Sequence, residues 1–103
     1  MFDHFSLTDP IREGGKGMEP KRVMIEVTEI RGNGQCSYGL KVGDRFEARE
    51  EGADFCVWAH QALFPFITVI KFGGTLPWEE DPDAAYACCP DPYNTVVFRL
   101  TRK

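Results

Sequence analysis

The sequence predicts an α+β fold, a small mainly antiparallel sheet packed against a kinked pair of short helices. Two segments, residues 22–31 and 95–101, alternate apolar and polar residues with period two. Between them, residues 54–71 carry apolar residues at helical spacing. The order strand, strand, helix, strand belongs to an α+β domain. At 103 residues there is room for one core and no second domain. A hydrophobic content of 43% against 27% charged excludes wholesale disorder.

Residues 1–21 read as an N-terminal arm, and residues 22–103 as the domain. The arm's second half, Glu13-Gly-Gly-Lys-Gly-Met-Glu-Pro20, is rich in glycine and has no periodicity. Its first half carries Phe2, Phe5, Leu7 and Ile11, which suit either a docking element or a frayed terminus. The first strand, Arg22 to Arg31, sets Val23, Ile25 and Val27 against Met24, Glu26 and Thr28. Gly32-Asn-Gly34 ends it with residues that tolerate positive φ. A turn at Val42-Gly43-Asp44 leads into a second strand, Arg45 to Arg49, with Phe46 inward. Asp54 is a candidate N-cap, and Pro65 fits the first turn of a following helix. The expectation is therefore two helices, 54–63 and 65–71, the second buried on most sides, with Gly73-Gly74 as its stop. Phe55, Trp58, Phe64, Phe66 and Phe72 surround these helices and are expected mostly in the core. Residues 75–94 read as one long irregular segment, and Thr95 to Thr101 as the last strand.

The formal charge of −4 lacks the basic footprint of a nucleic-acid binder and makes an anionic membrane a poor partner. No apolar run approaches the roughly 18 residues of a membrane span. The opening Met-Phe-Asp-His-Phe-Ser lacks the charged start and apolar stretch of a secretory signal. The expected location is the cytoplasm.

Four cysteines, Cys36, Cys56, Cys88 and Cys89, are the sharpest chemical signal. Four thiolates suffice for a zinc site or an iron–sulfur cluster. Cys89-Pro90 resembles the Cys-Pro of bacterial ferredoxins, a likeness of one dipeptide. Against a standard site, there is no C-x-x-C pair and no zinc-finger register. Adjacent cysteines on a strand face opposite sides, so Cys88 and Cys89 reach one ion only from irregular backbone. Buried structural thiols, which pack as small apolar residues, are the competing reading. A third reading is thiol chemistry, by the Cys88–Cys89 pair or by Cys56 with His60. His60 lies four residues after Cys56, on the same helical face, where it serves as ligand, base or simple core residue.

The segment Trp78-Glu79-Glu80-Asp81-Pro82-Asp83 places four acids in five positions. It offers an interaction loop for a basic surface or, more simply, a solvated acidic turn. It lacks the alternating ligands and central glycine of a calcium loop. Gly73-Gly74 has no following lysine in a phosphate-loop register.

Taken together, Lys41-Val-Gly-Asp-Arg-Phe46, Cys56-Val-Trp-Ala-His60, Phe72-Gly-Gly-Thr-Leu-Pro-Trp-Glu-Glu-Asp-Pro82 and Cys88-Cys-Pro-Asp-Pro92 resemble a small prokaryotic family of single-copy or tandem-repeat proteins. The resemblance covers residues 22–102. That family has no established activity, so it implies only that the cysteine-bearing segments belong together. Members often carry histidine where this chain has Leu40, and Cys-Pro-Trp where it has Cys56-Val57-Trp58. These departures remove one candidate histidine ligand and leave the cysteines in place.

The leading expectation is a non-catalytic, cysteine-ligated metal domain holding an iron–sulfur cluster or zinc through Cys36, Cys56, Cys88 and Cys89. Its role would be electron transfer, sensing or structure. The alternative is a metal-free interaction domain with another protein as partner, in line with the tandem copies that the resemblance implies. A thiol redox switch or enzyme is the third.

Overall fold

The computed structural model describes residues 19–49 and 55–103. Their order is β1 (Val23–Ile30), β2 (Arg45–Glu47), α1 (Val57–Lys71), β3 (Ala84–Cys88) and β4 (Val96–Arg102). The four strands form one antiparallel sheet in the order β2-β1-β4-β3. Residues 1–18 of the expected arm and the Asp54 cap position lie outside the described residues. Lys21 donates its backbone N–H to the Lys71 carbonyl at 2.8 Å, so the chain is tied to the end of α1 from there onward.

β1 and β4 form the sheet centre because both alternate cleanly. Val23, Ile25 and Val27 meet Leu100 and Phe98 across the pair, all fully buried, while Met24, Glu26, Arg99 and Thr101 occupy the other face. Each large side chain buried in this way contributes about 1.5–3 kcal/mol. The register shifts at Thr28, a bulge between Val27 and Glu29, and the Thr28 hydroxyl donates to the Val97 carbonyl.

β2 is attached by a turn that explains Lys41-Val-Gly-Asp44. Asp44 N–H donates to the Lys41 carbonyl, and the Asp44 carboxylate accepts the Lys41 N–H at 2.9 Å. Gly43 sits at φ +99°, the conformation that the third position of a type II turn requires. Phe46 then points inward and stacks on Phe55 at 4.8 Å between ring centroids.

Among the described residues there is one helix, not a kinked pair. α1 begins at Val57, with Cys56 at the N-cap, and runs unbroken through Pro65. Pro65 and Gln61 both lie on the exposed side, so the Gln61 carbonyl that Pro65 cannot satisfy is within reach of water. Only one stripe is buried: Ala59, Leu63, Ile67 and Ile70. The expectation of a helix covered on most sides therefore fails for its C-terminal half, where Phe64, Pro65 and Thr68 are exposed. The aromatic cluster divides in the same way, with Phe55 buried, Phe66 half-buried, and Trp58, Phe64 and Phe72 exposed. A single layer of helix cannot cover all five. The helix ends in a Schellman motif: Gly73 has φ +87°, Gly73 N–H donates to Ile70, and Gly74 N–H donates to Val69.

The segment 75–94 is not wholly irregular, since it contains β3. Ala85 pairs with Leu100 and Ala87 with Phe98 on the core face, leaving Ala84, Tyr86 and Cys88 on the other. Three alanines, with no β-branched residue, carry little strand signal, and pairing with β4 decides the conformation. The acidic loop before β3 is held to the sheet. Glu79 accepts the outward Tyr86 N–H of this edge strand at 2.9 Å, Asp81 accepts from Arg99, and Asp83 from Arg102. Covering an edge N–H with a carboxylate blunts strand addition.

Arg102 joins three elements. From β4 its guanidinium donates to the Ile70 carbonyl in the last turn of α1, to the Pro82 carbonyl and to Asp83. Its side chain is only 11% exposed. Replacing Arg102 by Ala leaves helix and loop carbonyls without a donor, with an expected loss of about 1–3 kcal/mol in denaturant unfolding at unchanged m-value. Arg102→Lys should recover only part of that loss, because an ammonium cannot match the planar fork.

Candidate functional site: a pocket lined by three cysteines

One end of the sheet carries a pocket of about 360 Å³, and three of the four cysteines line it: Cys36, Cys56 and Cys89. Ser37, Tyr38, Trp58, Pro90, Asp91, Asn94 and Val96 complete the wall. The three thiols come from three loops or element ends that are far apart in sequence.

Cys36 belongs to the β1–β2 connection. That connection is pressed against the β3–β4 turn by Arg31 N–H to the Thr95 carbonyl and by Asn33 N–H to the Asn94 side chain. Gly32 makes the approach possible. It adopts φ +71°, and a Cβ there would collide with the Tyr93 carbonyl and the Asn94 side-chain oxygen. Gln35 N–H then donates to the Asn33 side chain, and Gly39 N–H to the Cys36 carbonyl, which fixes the turn that presents Cys36.

Cys56 is presented by the start of α1. As N-cap it makes no side-chain capping bond, and it lines the pocket while packing against the core. The helix N-terminus beside it carries partial positive charge and stabilises negative charge nearby.

Cys89 follows the last residue of β3. Its backbone N–H donates to the Val96 carbonyl, and its sulfur accepts the Val96 N–H at 3.3 Å. The turn that holds it is organised by Asp91. The Asp91 carboxylate accepts N–H groups of Tyr93 and Asn94, and its carbonyl accepts the Thr95 hydroxyl. These two backbone donors hold the Asp91 carboxyl below its ordinary value.

Cys88 does not line the pocket. Paired with Val97 in β3, it lies on the opposite sheet face and is exposed. All four cysteines are free thiols. His60 does not line the pocket either. Its ring packs edge-on to Phe55 and tilted against Phe64, and its Nε2 is buried without a hydrogen-bond partner among the described residues. The acids of the 78–83 loop lie with the β3 edge and Arg102, outside the pocket wall. Trp78 is exposed, as is Glu80.

Sequence reasoning singled out the cysteines and missed the companions that shape their pocket. Tyr38 and Trp58 stand at it with 57% and 66% of their surfaces exposed. Asn94 and Asp91 set its floor through loop hydrogen bonds, for which Asp-Pro-Tyr-Asn between two strands was the available turn signal.

Among the described residues, no group of three or more His, Cys, Asp or Glu side chains is placed to hold a metal ion. No helix among them is long and apolar enough to cross a membrane. No family model, curated protein or solved structure matches the chain.

A pH dependence follows from Asp91. Its folded value is depressed, so its contribution is present above the ordinary carboxylate range, about 3.9, and is lost as pH falls through the folded value. Glu47, lowered by its ion pair with Arg22, has the same sign. Thermal midpoints measured between about pH 6 and pH 2 should fall towards acid, and Asp91→Asn should flatten that fall.

Proposed function

We propose that this chain is a small cysteine-ligated metal domain that holds an iron–sulfur cluster through Cys36, Cys56 and Cys89, for electron transfer or sensing. The observation that carries this reading is that three cysteines, Cys36, Cys56 and Cys89, line one pocket. Structural thiols pack as small apolar residues. The three cysteines are partly buried and pack against the core, and they also line a cavity of about 360 Å³, at the low end of the roughly 300–1,000 Å³ usual for ligand pockets. Thiolates are soft donors that select zinc, cuprous copper and iron–sulfur clusters.

Zinc is the other soft-donor occupant. Thiolates on one zinc, with bonds of about 2.3 Å in a tetrahedron, stand about 3.8 Å apart. Among the described residues no three such side chains stand close enough to hold a metal ion, so either occupant requires the thiols to draw together. Two local features suit an anionic thiolate-bound group: the helix N-terminus beside Cys56 and the Val96 N–H aimed at the Cys89 sulfur.

A second reading is favoured by a different observation. Exposed Tyr38, Trp58 and Tyr93 lie on or next to this end of the molecule and suit a metal-free docking face for another protein. In that reading the 78–83 loop contributes little beyond Trp78 and Glu80, since its other acids are engaged internally.

Purification without oxygen or chelators, followed by iron, sulfide and zinc assay per chain, separates the two readings. The cluster reading expects brown protein with iron and sulfide in equal amounts. It expects loss of both in Cys36→Ser, Cys56→Ser and Cys89→Ser, with Cys88→Ser unchanged. Colourless protein with one zinc replaces the cluster by a structural ion. A colourless, metal-free, cooperatively folded protein leaves the docking reading.

A further inference from the structure

Along the exposed side of the C-terminal half of α1 runs a second hollow, a groove of about 210 Å³. We infer that this groove is the seat of the chain's own N-terminal segment, residues 2–11. The inference is independent of the cluster reading, because the thiol pocket lies at the start of α1 and the groove at its end.

The groove has an apolar floor and a cationic rim. Ala48 and Ile67 line it and are buried, while Phe64 and Phe72 flank it with 48% and 46% of their surfaces exposed. The Thr68 hydroxyl in the wall already donates to the Phe64 carbonyl at 3.0 Å. Lys71 and Arg49 bring positive charge to the same wall. Glu47, close by in the chain, is engaged with Arg22. The volume falls below the roughly 300–1,000 Å³ of small-molecule pockets, a size that suits inserted side chains.

The entry point of the chain selects the occupant. Lys21 donates its N–H to the carbonyl of Lys71, and Lys71 itself lines the groove. Residues 12–20 join this anchor to the segment, and nine residues span up to about 30 Å. The 15 residues of α1 span only about 22 Å, so the segment reaches every part of the groove. Gly14, Gly15 and Gly17 let the backbone turn back towards the helix.

Composition and charge agree with the entry point. Phe2, Phe5, Leu7 and Ile11 are large apolar side chains of the kind the floor accepts. Residues 2–11 also carry Asp3 and Asp9 and no Lys or Arg, which complements Lys71 and Arg49. On so short a tether the segment meets the groove at an effective concentration on the order of millimolar. A separate partner of equal affinity has to exceed that concentration to displace it.

The test is nuclear magnetic resonance of the isotope-labelled full chain. The expected result is nuclear Overhauser cross-peaks from the Phe2 and Phe5 rings and the Leu7 and Ile11 methyls to Ala48, Ile67 and Phe72. In a mixture of labelled and unlabelled chains, those contacts should stay within one chain. Phe2→Ser combined with Phe5→Ser should remove them and shift the amide signals of Ile67, Lys71 and Phe72, with β1 and β4 signals unchanged. Thr68→Glu, which sets a carboxylate in the wall against Asp3 and Asp9, should release the segment while leaving the groove's fold in place. Cross-peaks found only between chains overturn the inference and name a second copy as occupant. Cross-peaks to another surface overturn it, as do random-coil shifts for residues 2–11 in the parent chain. Groove signals unmoved by the double serine variant overturn it too. Each of these outcomes leaves the cluster reading untouched, since none of them depends on metal content.

Discussion

β1 and β4 pair antiparallel at the centre of the sheet, joining the residues that open the described body to those that close it. Everything else in the domain is positioned by that pair. It buries Val23, Ile25 and Val27 against Phe98 and Leu100, and so creates the face on which α1 lays its single apolar stripe. It leaves β2 and β3 as short edges whose residues need little strand preference of their own. The bulge at Thr28 shifts the last pairs to Glu29–Val97 and Ile30–Val96, at the end of the sheet where the pocket opens. Val96 belongs at once to this pair, to the pocket wall and to the bond that holds the Cys89 sulfur.

The thiol pocket is thus a product of loop geometry on a rigid frame. Cys36 arrives because glycine at position 32 lets two connections touch, Cys89 because Asp91 closes the next turn, and Cys56 because the helix starts there. None of these is a short-range motif. That is why no C-x-x-C register marks the site, although three segments each bring a cysteine to it. The 78–83 acids, by contrast, form a conspicuous motif in sequence. Glu79, Asp81 and Asp83 mainly anchor a loop to a sheet edge and to Arg102.

What was legible followed the strength of local signals. Strict alternation made β1 and β4 readable to within one residue at either end, and Lys41-Val-Gly-Asp44 announced its turn. Gly73-Gly74 announced the helix stop. β3 was not legible, because Ala84-Ala85-Tyr86-Ala87 has no β-branched residue and is a strand only by virtue of β4. Pro65 suggested a break, but proline's fixed φ is helical and its missing N–H leaves unpaired a carbonyl on the wet side. At the site, strand alternation correctly warned that Cys88 and Cys89 diverge. Which of the two would join Cys36 and Cys56 depended on the end point of β3, a tertiary property that no single-chain pattern encodes.

The central claim is that Cys36, Cys56 and Cys89 ligate one iron–sulfur group. The most direct measurement is anomalous diffraction at the iron edge from crystals grown without oxygen. The account predicts strong anomalous density in the pocket, bonded to the sulfurs of Cys36, Cys56 and Cys89, with none at Cys88. An ordered pocket with three free thiols and no anomalous density, or iron bound elsewhere on the chain, would contradict it.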